Sequence, residues 1–135
     1  MFKRIFLTIV FNLIGLAAIT IIVLESGQVL VVETKTGSGQ EKRETHIWLV
    51  QSEGRLLLEA GTPENPWVLD LAIQQALMLK GEGLDGMYRF KLHGPASHEN
   101  IRRFMEEKYG WRDWWISMIF DTSRSFMIEV VPVAV

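Results

Sequence analysis

The hydrophobic pattern divides the chain at about residue 26. Residues 5–24, IFLTIVFNLIGLAAITIIVL, run without a charge, and their only strongly polar positions are Thr8, Asn12 and Thr20. Twenty helical residues span about 30 Å, the thickness of a bilayer's hydrocarbon core. The run shows no polar stripe of the kind a core helix carries. It is also longer than a signal peptide's apolar segment, and no Ala-x-Ala precedes Glu25. The pattern predicts an uncleaved membrane anchor over residues 1–26 and a folded domain over residues 27–135.

From residue 27 onward, short alternating runs replace the continuous one. QVLVVET (28–34), THIWLVQ (45–51) and RLLLEA (55–60) read as strands, the last two joined by a tight turn at Ser52-Glu53-Gly54-Arg55. Asn65 and Pro66 are suited to open a helix as N-cap and first residue. WVLDLAIQQALMLK (67–80) follows, with Val68, Leu71, Ala72 and Gln75 on one helical face. MYRFKLH (87–93) alternates like a half-buried strand. A helix is expected from Ser97, with Ile101, Phe104, Met105 and Lys108 in register. A short helix is expected over 111–120 and a strand over 125–135, its Pro132 pointing to a sheet edge. Five or six strands with two or three helices indicate an α+β fold, a small antiparallel barrel or half-barrel with helices on its flank.

Composition narrows the chemistry. A chain of 135 residues with 48% hydrophobic content suits one small domain. The net charge of −2 supplies no field for recruiting nucleic acid. Cysteine is absent, which removes disulfides, thiolate metal sites and a Cys nucleophile. His46, His93 and His98 lack metal-motif spacing, so no metal site is expected. Lys3 and Arg4 precede the apolar run, and the next cation after it is Lys35. The charge rule then places the N-terminus in the cytoplasm and the domain on the far side of the membrane.

The polar stretch ETKTGSGQEKRETHIWLV (33–50) holds the richest local chemistry. Gly37 and Gly39 permit positive φ and close backbone approach, and successive amides in such a tip can form an anion nest. Thr36 and Ser38 add hydroxyls, and Lys42 and Arg43 add charge, Arg43 with a fork that fits phosphate. Thr45 points the same way as Arg43 along the incoming strand. A solvated hairpin with gatekeeper charges explains the same residues. Elsewhere, Trp111, Trp114 and Trp115 read as core packing, with a membrane-interface shelf as the other option. His46, Tyr88 and Tyr109 are candidate proton donors, with ordinary packing favoured for each. Arg102, Arg103, Glu106 and Glu107 read as a solvated helix face.

Three segments carry a wider likeness. They are Thr34-Lys35-Thr36-Gly37-Ser38-Gly39 with Arg43-Glu44-Thr45 and Trp48; Asn65-Pro66-Trp67-Val68-Leu69-Asp70-Leu71; and Lys108-Tyr109-Gly110-Trp111-Arg112-Asp113 through Asp121-Thr122-Ser123-Arg124-Ser125. In this order, over residues 28–134, they resemble the deazaflavin-dependent nitroreductase/quinone reductase family of flavin-binding split barrels. The resemblance implies an antiparallel split β-barrel flanked by helices, here preceded by one transmembrane helix. It implies hydride transfer from reduced deazaflavin or flavin (the deazaflavin coenzyme or FMN) to a quinone-like or nitro acceptor. Ser38, Gly39, Lys42, Arg43 and Thr45 would hold the phosphate, Ala60, Gly61 and Trp67 would lie nearer the ring, and Thr36, Gly37 and Trp48 complete the cofactor-binding set. The expected partners are membrane lipid and a small acceptor, and pairing into a homodimer accords with the family's habit. No side-chain nucleophile is required, because the protein supplies orientation and electrostatics.

The chain departs from the family pattern in three places. Gly37 runs directly into Ser38, where the family has one or two basic residues. His46 replaces a proline, and the Gly61–Asn65 loop is compressed. A membrane-tethered barrel that binds no cofactor is therefore the alternative function. The charge rule also conflicts with the cytoplasmic setting expected of deazaflavin chemistry.

Overall fold

A computed structural model describes residues 1–37, 39 and 41–133. The element order is α1 (Phe2–Glu25), β1 (Val29–Lys35), β2 (Lys42–Ser52), β3 (Arg55–Ala60), α2 (Pro66–Asp70), a 3-10 turn (Leu71–Ile73), β4 (Ala76–Lys80), β5 (Gly86–Leu92), a 3-10 turn (Pro95–Ser97), α3 (His98–Tyr109), α4 (Trp111–Ile119) and β6 (Phe126–Pro132). The six strands close into an antiparallel barrel in the order β1-β2-β3-β6-β5-β4. Alternation along each strand fills the interior. Leu30, Val32, Ile47, Leu49, Leu58, Leu77, Leu79, Tyr88, Ile128 and Val130 form one cluster with Trp67 and Leu71 beneath the barrel's end. The opposite face of β2, β3 and β6 supplies Val50, Leu57 and Met127 to a second cluster, which α3 covers with Ile101, Met105 and Tyr109. The β2–β3 turn places Glu53 and Gly54 at φ 53° and 76°, the paired positive values of a tight two-residue hairpin.

One expectation is corrected here. The helix predicted over 67–80 ends at Ile73, and residues 76–80 form β4. Gln74 makes the break. Its backbone is extended (φ −124°, ψ 152°). Its side-chain amide donates to Asp70 O and Lys35 O and accepts from Lys35 N, ending the helix and tying it to β1. Ala, Leu, Met and Lys all favour helix, but β4 pairs with both β1 and β5, and Leu77 and Leu79 fill the barrel. The gain from closing the ladder outweighs propensity. Pro132 falls where the pairing is one-sided, as expected of a strand end at an edge: the register of β6 with β3 stops at Val130, while that with β5 runs on to Pro132. Pro132 is simply its last residue, opposite Tyr88.

The Trp48 and Tyr109 rings stack at 4.3 Å, and the Tyr109 hydroxyl donates to Leu49 O at 2.6 Å. Burial pushes this phenol's pKa up. Gly27 lies against the pair. A Cβ there would sit 2.8 Å from Tyr109 Cε1, so the approach requires glycine. Tyr88 is likewise a core residue. Neither tyrosine is an available proton donor.

Helix α1 is long and apolar enough to cross a membrane. Val23 is its one buried residue. Thr8, Asn12 and Thr20 each donate to the carbonyl four residues earlier, so their polar groups are satisfied within the helix. Among the described residues, its C-terminal end is what is fastened to the rest of the protein, to β2 and to α4. Trp48 Nε1–H donates to Leu24 O at 2.9 Å, Trp115 Nε1–H to Thr20 Oγ1 at 3.0 Å, and Arg112 Nε–H to Ser26 Oγ at 2.7 Å.

Candidate functional site

A cleft of about 570 Å³ runs along β2, within the range typical of small-molecule sites. Arg43 through Trp48 form one side. Gly61 and Asn65-Pro66-Trp67 close one end, and Glu59 and Met105 lie behind. Leu24 and Glu25 from the end of α1, with Ile116, Phe120, Asp121 and Thr122 from α4 and the loop after it, complete the mouth. The cleft lies where β2, the start of α2 and the end of α1 meet.

Of the residues singled out in the sequence, Arg43, Thr45, Trp48, Gly61 and Trp67 line this cleft. Ala60 is fully buried inside the barrel, one residue from the lining. Thr36, Gly37 and Gly39 form the hairpin tip, and Lys42 opens β2 beyond the cleft. Ser38 lies outside the described residues. Within the tip, Thr36 N–H donates to Glu41 O and Gly39 N–H to Thr36 O. Those two amides are spent on the turn itself.

The tip's cations carry carboxylate partners. Arg43 Nε–H donates to Asp70 Oδ2 at 2.8 Å, and Thr34 Oγ1 donates to the same oxygen at 2.8 Å. Asp70 is 5% exposed. Lys42 lies 3.3 Å from Glu33. Lys80 bridges Glu33 at 2.5 Å and Glu44 at 3.3 Å. The hydrogen bond from Lys80, helped by Lys42, holds the Glu33 carboxyl below its ordinary pKa against the opposing effect of burial. On the rim, His46 Nδ1 sits 3.2 Å from Glu25 Oε1. Asp121 is held below the ordinary range by the Ser123 hydroxyl and amide.

Three partners of the cleft residues were not read from the sequence as such. Asp70 orients Arg43, and its only local signal is a charge inside the apolar run PWVLDLA. Glu59 lines the cleft while accepting both 2.8 and 2.9 Å bonds from Arg102 Nη1 and one from Ser125 Oγ. Arg102 therefore does not belong to the solvated helix face that the sequence pattern suggests. It also donates from Nη2 to Asp113 Oδ2 and Ser117 Oγ, tying β3 to α3 and α4. The tryptophans differ from expectation too: Trp111 and Trp114 are 58% and 61% exposed rather than core. Among the described residues, no cluster of His, Asp and Glu could hold a metal ion.

The lining partly suits a flavin-type group. Ile47, Trp67, Ile116 and Phe120 offer an apolar wall for a flat ring, and Arg43 and Thr45 offer donors at one end. Glu44, Glu59 and Asp121 bring negative charge to the same space, which favours a ligand with little anionic character beyond one phosphate.

No family model and no curated protein sequence matches the chain. Solved structures do. A conserved hypothetical protein from Mycobacterium tuberculosis aligns with a TM-score of 0.56 at 13% identity, covering 87% of this chain and 80% of that one. An F420 reductase aligns with a TM-score of 0.53 at 12% identity, covering 83% and 91%. A protein related to general stress protein 26 (pyridoxinephosphate oxidase family) from Clostridium acetobutylicum aligns with a TM-score of 0.51 at 13% identity, covering 82% and 78%. At such identities the likeness speaks to architecture, and on that ground the chain has the split-barrel fold of the F420 reductase and pyridoxinephosphate oxidase-type structures, as the sequence resemblance implied.

Proposed function

We propose that this chain is a membrane-anchored split-barrel oxidoreductase that holds a flavin- or deazaflavin-type coenzyme in the cleft along β2 and serves a quinone-like or nitro acceptor. Residues 1–26 are its anchor and residues 27–135 its barrel domain. The carrying observation is the convergence of Arg43, Thr45, Trp48, Gly61 and Trp67 on one cleft, in a fold whose solved examples include an F420 reductase.

When bound, the coenzyme supplies the hydride chemistry. The chain's own residues bind and orient. Trp67, Ile47 and Phe120 present an apolar wall to the ring system. Arg43, oriented by Asp70 through Nε, keeps its terminal nitrogens for phosphate. Thr45 adds a hydroxyl on the same strand face, and Gly61 allows the backbone to approach closely. The ends of α1 and α4 shield the cleft from water. His46, on the rim beside Glu25, is the group placed to donate a proton to an acceptor oxygen.

The second reading, a tethered barrel without a cofactor, draws on the same tip. Lys42 and Arg43 are engaged with Glu33 and Asp70, and the amides of Thr36 and Gly39 are used within the turn. Arg43 separates the two readings. Arg43→Ala is expected to weaken FMN or deazaflavin binding by about 1–3 kcal/mol, the range of a charged hydrogen bond. Isothermal titration of the full chain in detergent reads it. Arg43→Lys, which keeps a charge near Asp70, should recover part of the loss. Unchanged affinity in both variants would show that the phosphate is not held at this end of β2.

A further inference from the structure

Helix α4 is amphipathic with its polar side turned inward. Asp113 is buried, and it and the neighbouring, exposed Ser117 both accept hydrogen bonds from Arg102. Trp111, Trp114 and Met118, at spacings of three and four, form an apolar stripe on the outside, 58%, 61% and 58% exposed. Ile119 and Phe120 extend it, also exposed. A soluble surface helix has the reverse arrangement.

The position of α4 says what covers the stripe. Trp115 bonds Thr20 and Arg112 bonds Ser26, so α4 is fastened beside the last turns of α1. The charge-free run of α1 ends at Leu24, and about 30 Å of helix before that point matches the hydrocarbon core. The level of Thr20–Ser26 is therefore the edge of that core. Tryptophan is enriched at this depth, and helices with one apolar face lie there in the membrane plane. The apolar flank of α1 around Ile19 and Ile22 is exposed as well.

We propose that α4 rests on the bilayer that α1 crosses, with the Trp111–Trp114–Met118 stripe immersed in the interface, and so holds the mouth of the cleft at the membrane surface. Leu24, Ile116 and Phe120 line that mouth, so a lipophilic acceptor reaches the cleft without crossing bulk water. The proposal rests on the reading of α1 as an anchor and is independent of the coenzyme.

The chain has no cysteine, so each introduced thiol is unique. The variants Ile14→Cys, Met118→Cys and Lys91→Cys, in the full chain, are spin-labelled and reconstituted into phosphatidylcholine/phosphatidylglycerol vesicles. Collision with dissolved oxygen is compared with collision with an aqueous nickel chelate. The oxygen-to-nickel ratio is expected to be severalfold higher at residues 14 and 118 than at residue 91, an exposed position on β5. Trp114→Cys should repeat the result for residue 118. A high ratio at 14 with a ratio at 118 equal to that at 91 overturns the proposal and leaves the anchor standing. A low ratio at 14 overturns the anchor reading and the proposal with it. Spin–spin broadening at 118 that disappears on dilution with unlabelled chain shows that a second copy covers the stripe, which also overturns it.

Discussion

Replacing Arg102 with alanine is expected to destabilise the folded chain by about 3 kcal/mol, the lower end of the range for breaking a buried ion pair. The reason is geometric. One guanidinium serves Glu59 on β3 and Asp113 and Ser117 on α4, from a position on α3. Side-chain exposures of 17% for Arg102 and Glu59 and 6% for Asp113 leave water little access to the carboxylates once their partner is gone. Arg102→Met should be equally harmful, because it restores packing and leaves both charges unpaired. Adding Glu59→Gln and Asp113→Asn to Arg102→Met should recover much of the loss. Urea unfolding of the full chain in detergent reads these changes as shifts in midpoint at constant slope. A loss under about 1 kcal/mol would place the cluster among solvent-screened surface bridges.

Trp67→Ala carries the second large effect, a loss of about 3–5 kcal/mol. Trp67 follows Pro66 in the first turn of α2, is 4% exposed, and packs against the barrel's interior cluster. The indole plugs the end of the barrel and lines the cleft at once. Truncation opens a cavity that the closed sheet cannot collapse around. Trp67→Phe keeps an aromatic plug and should lose much less. That variant isolates the effect on ligand affinity from the effect on folding. Near-native stability in Trp67→Ala would show that the indole is not part of the core.

The strands were legible wherever burial alternates. The runs containing Leu30 and Val32, or Tyr88, declare themselves without tertiary knowledge. β4 did not, because Ala76–Lys80 is made of helix formers and its strand character comes from neighbours on both sides, β1 and β5. Arg102 looked like one half of an exposed helical pair with Glu106, since its true partners lie on β3 and beyond the Gly110 bend. At Gly110, φ of 53° redirects the chain from α3 into α4. The tryptophans of α4 looked like core for the same reason, as nothing local shows that the helix buries Asp113 instead.

The candidate site was legible along β2 and at Pro66-Trp67. Its far wall was not, because Leu24, Ile116 and Phe120 come from segments that meet only once α1 has docked on α4. Asp70 changes the meaning of Arg43, from a free phosphate ligand to a cation already aimed by a buried carboxylate. The cleft's remaining carboxylates, Glu25, Glu44, Glu59 and Asp121, oppose a highly charged ligand.

Equilibrium titration decides whether the cleft along β2 binds a flavin-type ring. FMN and the deazaflavin coenzyme are added separately to the full chain in detergent, and ligand absorbance is followed together with tryptophan emission. At least one should bind at or below tens of micromolar and quench the emission, with Trp67→Phe altering the quenching. Binding of neither at that concentration would contradict the account and leave the tethered, cofactor-free barrel.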